Sequence, residues 1–220
     1  MPAPTLRGAA AFVQQVRAAE QHLSGADPVM AAVIERHGPC TLGATRRDPF
    51  HTLCASIISQ QLSSKAADTI QARLMAGIGA GRRITPPLLL AASHEELRGY
   101  GLSTAKARWL RALGEAAAAG TLDFRALGRL DDEAAIAVLD ALPGIGRWTA
   151  EMFLMFALNR IDLFAMDDVG LRRGVAMLYN RGRPLSDART LKITRRWAPY
   201  RTIASWYLWR VADPVNEIWV

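Results

Sequence analysis

Along most of the chain apolar residues return every third or fourth position, the period of a helix with one buried face. Within Phe50–Gln61, Leu53, Ile57 and Ile58 fall on one side, and within Thr104–Ala119 so do Trp109, Leu110 and Leu113. Local signals bound these segments. Asp27-Pro28 places an N-cap before a proline at the first helical position, and Gly38 ends that helix. Asp48-Pro49 repeats the device. Ser63 or Ser64 opens a helix to about Met75, and Ser93 a short one with Glu96 at capping-box spacing. Ser103 caps the long Thr104–Ala119 segment. Asp131-Asp132 starts a helix ending near Leu142, and Gly146 or Arg147 one ending by Asn159. Further helices begin at Asp168, at Ser186 and near Tyr200. Strand-length alternation is nowhere convincing. The pattern predicts an all-α protein of about ten helices.

Composition narrows the class. The chain has 220 residues, 50% hydrophobic and 21% charged, enough for one large domain or two modest lobes. Its longest apolar runs, Leu88–Ala92 and Met152–Leu158, are too short for a membrane span. Met1–Ala11 lacks the apolar region of a secretory signal, so a cytoplasmic, nucleoid-associated protein without a membrane partner is expected. The 2 cysteines, Cys40 and Cys54, cannot supply a four-thiolate cluster and read as small apolar core residues. The 4 histidines, at 22, 37, 51 and 94, show no zinc-ligand spacing, so no side-chain metal site is expected.

Charge points towards a polyanion. The formal net charge is +7 and the pI about 10.1. Between Arg181 and Arg201 the basic residues stand against Asp187 alone, a run more often a solvated face than a binding stripe. Lysine is used only at 65, 106 and 192. Lys65 and Lys106 could meet phosphate, although a lone lysine is usually just solvated.

Two constellations carry candidate chemistry. The first is Leu142-Pro143-Gly144-Ile145-Gly146-Arg147-Trp148-Thr149-Ala150. Glycines two apart before a helix leave backbone N–H groups unshielded where the helix dipole favours an anion. Gly144, Ile145, Gly146 and Thr149 are therefore the expected phosphate contacts; a bare helix–helix turn is the plainer alternative. In the second, an apolar run from Ile161 delivers Asp167 and Asp168 to the start of a helix. One carboxylate suffices for capping, worth about 1 kcal/mol. The other is left for chemistry.

The hairpin followed by Asp168-x-x-Leu171-x-Arg173 resembles the helix-hairpin-helix DNA glycosylase superfamily. More closely, the chain is similar to its alkylated-base branch, the 3-methyladenine DNA glycosylase II type. Asp48-Pro49-Phe50, Ile57–Ser63, Tyr100–Ala107 and Pro199-Tyr200-Arg201 with Trp209 extend the likeness over about residues 27–211. The resemblance implies a single domain, 1–220, in a two-lobed all-α fold with an active-site cleft and no iron–sulfur cluster. The inner lobe would span about 45–160 and carry the hairpin, and 1–44 with 161–220 would form the outer lobe. The extra N-terminal β domain of some members is not expected.

The same resemblance assigns roles. Asp168 takes the catalytic position, leaving Asp167 as a neighbour and possible cap. Trp148, Trp209 and Met152 would line the base pocket, with core packing the alternative for both tryptophans. Met152 departs from the tyrosine the family places there. Members that also cleave the backbone carry a lysine where this chain has Trp148, and an indole forms no Schiff base. Gln61 or Leu62 matches the loop that fills the gap left by an extruded base, although Leu62 could simply pack. The implied activity is monofunctional release of alkylated purines (3-methyladenine, 7-methylguanine) from damaged double-stranded DNA, by a hydrolase acting as a monomer in base excision repair. No cofactor is required, with a monovalent cation on the hairpin carbonyls the one ion implied. Alternatives are a glycosylase for etheno or deaminated purines, and a non-catalytic hairpin module that only grips DNA.

Overall fold

Side-chain caps decide where the chain turns. The structure, a computed structural model, describes residues 9–43, 48–79 and 83–213. Helix α1 (Ala9–Ala26) leads into α2 (Pro28–His37), capped by Asp27, and α3 (Pro49–Ser59), capped by Asp48. Ser63, not Ser64, caps α4 (Ser64–Gly77), since its hydroxyl accepts the Ala66 N–H. Helices α5 (Pro86–Ala91), α6 (His94–Gly99), α7 (Thr104–Ala118), α8 (Phe124–Leu127) and α9 (Asp132–Asp140) follow. Then come α10 (Arg147–Phe156), α11 (Val169–Tyr179), α12 (Asp187–Thr194), a 3-10 turn (Arg195–Trp197) and α13 (Arg201–Ala212). The described residues contain more helices than the sequence pattern predicts. The additions include α5 and α8, too short to show a period of their own.

The chain divides into two units. One spans 48–153; the other joins 9–43 to 154–213. In the first, α3 is central. Leu53, Cys54, Ile57 and Ile58 are fully buried, and Phe50, Thr52 and Ser56 nearly so. A helix buried around most of its circumference must satisfy its own hydroxyls. Thr52 Oγ1 donates to the Asp48 carbonyl at 2.8 Å and Ser56 Oγ to that of Thr52 at 3.0 Å. Leu74, Leu89, Leu97, Leu110 and Leu139 complete the apolar interior from α4, α5, α6, α7 and α9.

The second unit is built on α11 against α13. Leu171, Val175, Tyr207 and Leu208 are fully buried. Asp27, 1% exposed, ties the α1–α2 junction into this packing. Its Oδ1 caps α2, and its Oδ2 accepts from Tyr179 Oη at 2.9 Å and Trp197 Nε1 at 3.2 Å. A buried carboxylate with several donors stays satisfied away from water. Trp197, not recognised as structural from the sequence, is the largest fully buried side chain among the described residues.

Among the described residues no helix is long and apolar enough to cross a membrane, and no cluster of His, Cys, Asp or Glu could hold a metal ion.

Candidate active site

The first unit carries the hairpin. Between α9 and α10 the Ile145 N–H donates to the Leu142 carbonyl at 3.1 Å, closing the turn. Its two glycines have different duties. Gly144 has φ +82°, and a Cβ there would lie 2.4 Å from Trp109 Cδ2 on α7. Both the left-handed backbone and the indole require glycine at this position. Gly146 is exposed, and a Cβ there would meet nothing within 4 Å. This second glycine leaves open space at the N-terminus of α10, where the helix dipole favours an anion. Arg147 is already engaged, by Glu133 at 2.9 Å and Glu151 at 3.1 Å.

The side chains of Ile145 and Thr149, where phosphate contact through the backbone is expected, are 3% and 4% exposed. Met152, expected on the pocket wall, is 1% exposed, within a stretch of α10 from Thr149 to Phe156 that is buried on every side. Trp148 is half-buried.

The loop after α3 stands out from the surface. Gln61 and Leu62 are both exposed, Leu62 by 40%, and Gln61 adopts φ +57°. Sequence spacing did not show what holds them. Gln60 Nε2 donates to the Gly144 carbonyl at 2.8 Å and lies 3.4 Å from Thr149 Oγ1. Lys106, expected in solvent or on phosphate, is 9% exposed; its Nζ donates to the Ile58 and Gln60 carbonyls at 2.7 and 2.6 Å. Burial lowers its pKa below the usual lysine value.

The second unit carries the carboxylates. Asp167 is exposed, and the expectation that it caps the helix is overturned. Asp168 is the N-cap of α11, its Oδ1 accepting the Leu171 N–H at 2.7 Å. The residue directly before the first helical position can reach the third N–H; Asp167 lies one residue too early. The same oxygen accepts the Trp209 indole N–H at 3.0 Å. The carboxylate is 7% exposed and held by donors from two helices.

That approach depends on small residues the sequence reading passed over. A Cβ on Gly170 would lie 3.0 Å from Trp209 Cδ1 and 3.1 Å from Asp168 Oδ1. One on Gly174 would lie 2.7 Å from the Leu208 carbonyl oxygen. Glycines four apart on one face of α11 thus let α13 come close enough for Trp209 to reach Asp168. Phe156 packs against Trp209 with ring centroids 5.6 Å apart.

Comparison with known proteins identifies the family. Residues 54–199 match the HhH-GPD superfamily of base excision DNA repair proteins. The chain belongs to that superfamily. Among HhH-GPD proteins it is 34% identical to DNA-3-methyladenine glycosylase 1 of Schizosaccharomyces pombe, over 91% of this chain and 90% of that protein. Among solved structures it resembles a DNA-3-methyladenine glycosidase from Bacillus halodurans with TM-score 0.77 and 39% identity, covering 87% of each chain. The Schizosaccharomyces pombe 3-methyladenine DNA glycosylase Mag1, in complex with abasic DNA, matches with TM-score 0.77 and 34% identity, over 87% of this chain and 95% of that one.

Proposed function

We propose that the protein is a monofunctional DNA N-glycosylase that releases alkylated purines, of the 3-methyladenine and 7-methylguanine kind, from duplex DNA. The observation that carries this reading is the Asp168 carboxylate, oriented by the Leu171 and Trp209 N–H groups. The names of its relatives support the substrate class.

The chemistry needs few groups. N3- or N7-alkylation makes the purine cationic, so its glycosidic bond breaks without a general acid. The bonding pair leaves with the base and neutralises it. Positive charge then develops on the sugar, where a carboxylate stabilises it. A water oxygen bonds to C1′ and gives up a proton, which Asp168 can accept. The hairpin holds the backbone at Gly146, and Gln61 or Leu62 fills the space the base vacates. Trp209 has a second use in presenting a π-face to a cationic ring while its N–H holds the acid group. In this reading a monovalent cation on the hairpin carbonyls is compatible with the turn. The Leu142 and Gly144 oxygens each accept a bond, from Ile145 and Gln60, and a carbonyl has two lone pairs.

Methylated duplex DNA incubated with the protein should yield free 3-methyladenine and heat-labile abasic sites. Asp168→Asn should lower the rate by at least about a hundredfold, with the fold kept because asparagine is an equally good N-cap. Equal release by both proteins would remove Asp168 from the chemistry; DNA retardation without release by either would leave a silent binding module. Trp148→Lys should give no efficient borohydride trapping, since an amine alone does not make a lyase.

A further inference from the structure

We propose that Gln60 and Lys106 form a lock that fixes the 60–63 loop to the hairpin, so that gripping the strand and filling the gap are one mechanical act. The inference rests on the reading of Gln61 and Leu62 as the gap-filling residues.

The lock begins with a helix end. The last carbonyls of a helix lack intrahelical partners and are usually met by water or by a glycine turn. Here α3 ends in a buried region, and an ammonium from α7 meets them instead. Lys106 Nζ binds the Ile58 and Gln60 carbonyls together, a cation where the helix dipole favours one. A compact ammonium suits two converging carbonyls better than a planar guanidinium does. In a chain whose 27 basic residues are otherwise nearly all arginine, lysine stands at this position.

Gln60 is gripped at both ends. Its carbonyl is held by Lys106, and its side-chain amide donates to the Gly144 carbonyl of the hairpin. The next residue, Gln61, takes φ +57°, disfavoured for any residue with a Cβ and kept only where neighbours impose it. The turn leads to Leu62, 40% of which stays exposed. α3, α7 and the hairpin thus converge on one residue, and the wedge follows it. In this scheme Gln60 and Lys106 are positioning residues: neither touches the reacting atoms.

Gln60→Leu and Lys106→Met test the lock, each compared with the unaltered protein on two duplexes, one intact and one containing an abasic-site analogue. The unaltered protein should prefer the duplex containing the abasic-site analogue. Each variant should lose about tenfold of that preference while binding intact duplex within about twofold of normal, as expected from losing hydrogen bonds that only position a loop. In single turnover, release of 7-methylguanine paired with cytosine should fall similarly. Release of the same base placed opposite an abasic site should change little, since an unpaired base is already easy to extrude. Equal losses on both duplexes, or an unchanged preference, would overturn the lock. No preference in the unaltered protein would overturn the wedge reading and the lock with it. Absence of base release with the preference intact would count against the glycosylase reading alone. If Lys106→Met fails to fold by circular dichroism, Gln60→Leu, a half-buried site, decides the matter.

Discussion

The Trp209 indole N–H donates to Asp168 Oδ1 at 3.0 Å, and the same oxygen caps α11 through the Leu171 N–H at 2.7 Å. One carboxylate oxygen therefore performs a structural task and is aimed by an aromatic residue at once. Trp209, expected as a wall around the base, is also a donor that orients the acid.

Trp209→Phe separates these roles, because phenylalanine keeps a ring and lacks the N–H. A hydrogen bond to a charged group contributes about 1.5–3 kcal/mol. Base release from methylated DNA should fall about tenfold or more, and the melting temperature should fall by several degrees. Full activity in this variant would mean that stacking alone accounts for Trp209.

Gly170→Ala should trade activity for stability. Alanine favours a helix over glycine by about 1 kcal/mol, whereas its Cβ would sit 3.0 Å from Trp209 Cδ1 and 3.1 Å from Asp168 Oδ1. Expected are a melting temperature held or slightly raised and a clearly slower single-turnover release. Unchanged release would show that the indole and the carboxylate tolerate displacement.

The hairpin glycines should respond in opposite ways. Gly144→Ala forces a left-handed alanine, at about 1–2 kcal/mol, and drives a methyl into the Trp109 ring at 2.4 Å. Thermal unfolding should show a marked loss of stability. Gly146→Ala enters open space and should unfold like the unaltered protein while binding duplex DNA more weakly in retardation assays. A stable Gly144→Ala protein would contradict the packing account.

The thiols should be inert in the native state. Burial is the main cause that pushes the Cys40 thiol up to about 12, with Glu20 adding to it, and burial likewise raises Cys54. A raised thiol pKa leaves almost no thiolate until the pH approaches that value. Iodoacetamide at pH 8 should label neither residue in the folded protein and both in denaturant, read by mass spectrometry. Rapid native labelling of Cys40, which is only partly buried, would show that the site opens.

Much of the helical architecture was legible in the residues. Asp27, Asp48, Ser63, Ser93, Ser103, Asp131 and Ser186 each cap the helix that follows. A cap is a contact between residues two or three apart, so spacing alone reveals it. Asp168 and the hairpin were likewise visible as local motifs. The sequence did not distinguish which of Asp167 and Asp168 caps α11, because two adjacent carboxylates offer the same chemistry until the helix start is fixed.

What the chain by itself determined was the helical class, most of the helix starts, the lack of a cysteine set for a cluster, and the positions of hairpin and carboxylate. Tertiary packing alone decided that Gly144 answers to Trp109 and Gly170 to Trp209, that Lys106 closes the end of α3, and that Met152 lies inside. The first set depends on backbone geometry within a turn or two of helix, which residue type and spacing encode. The second joins residues from different helices, up to 48 positions apart for Lys106 and Ile58, and such contacts exist only once the helices have packed.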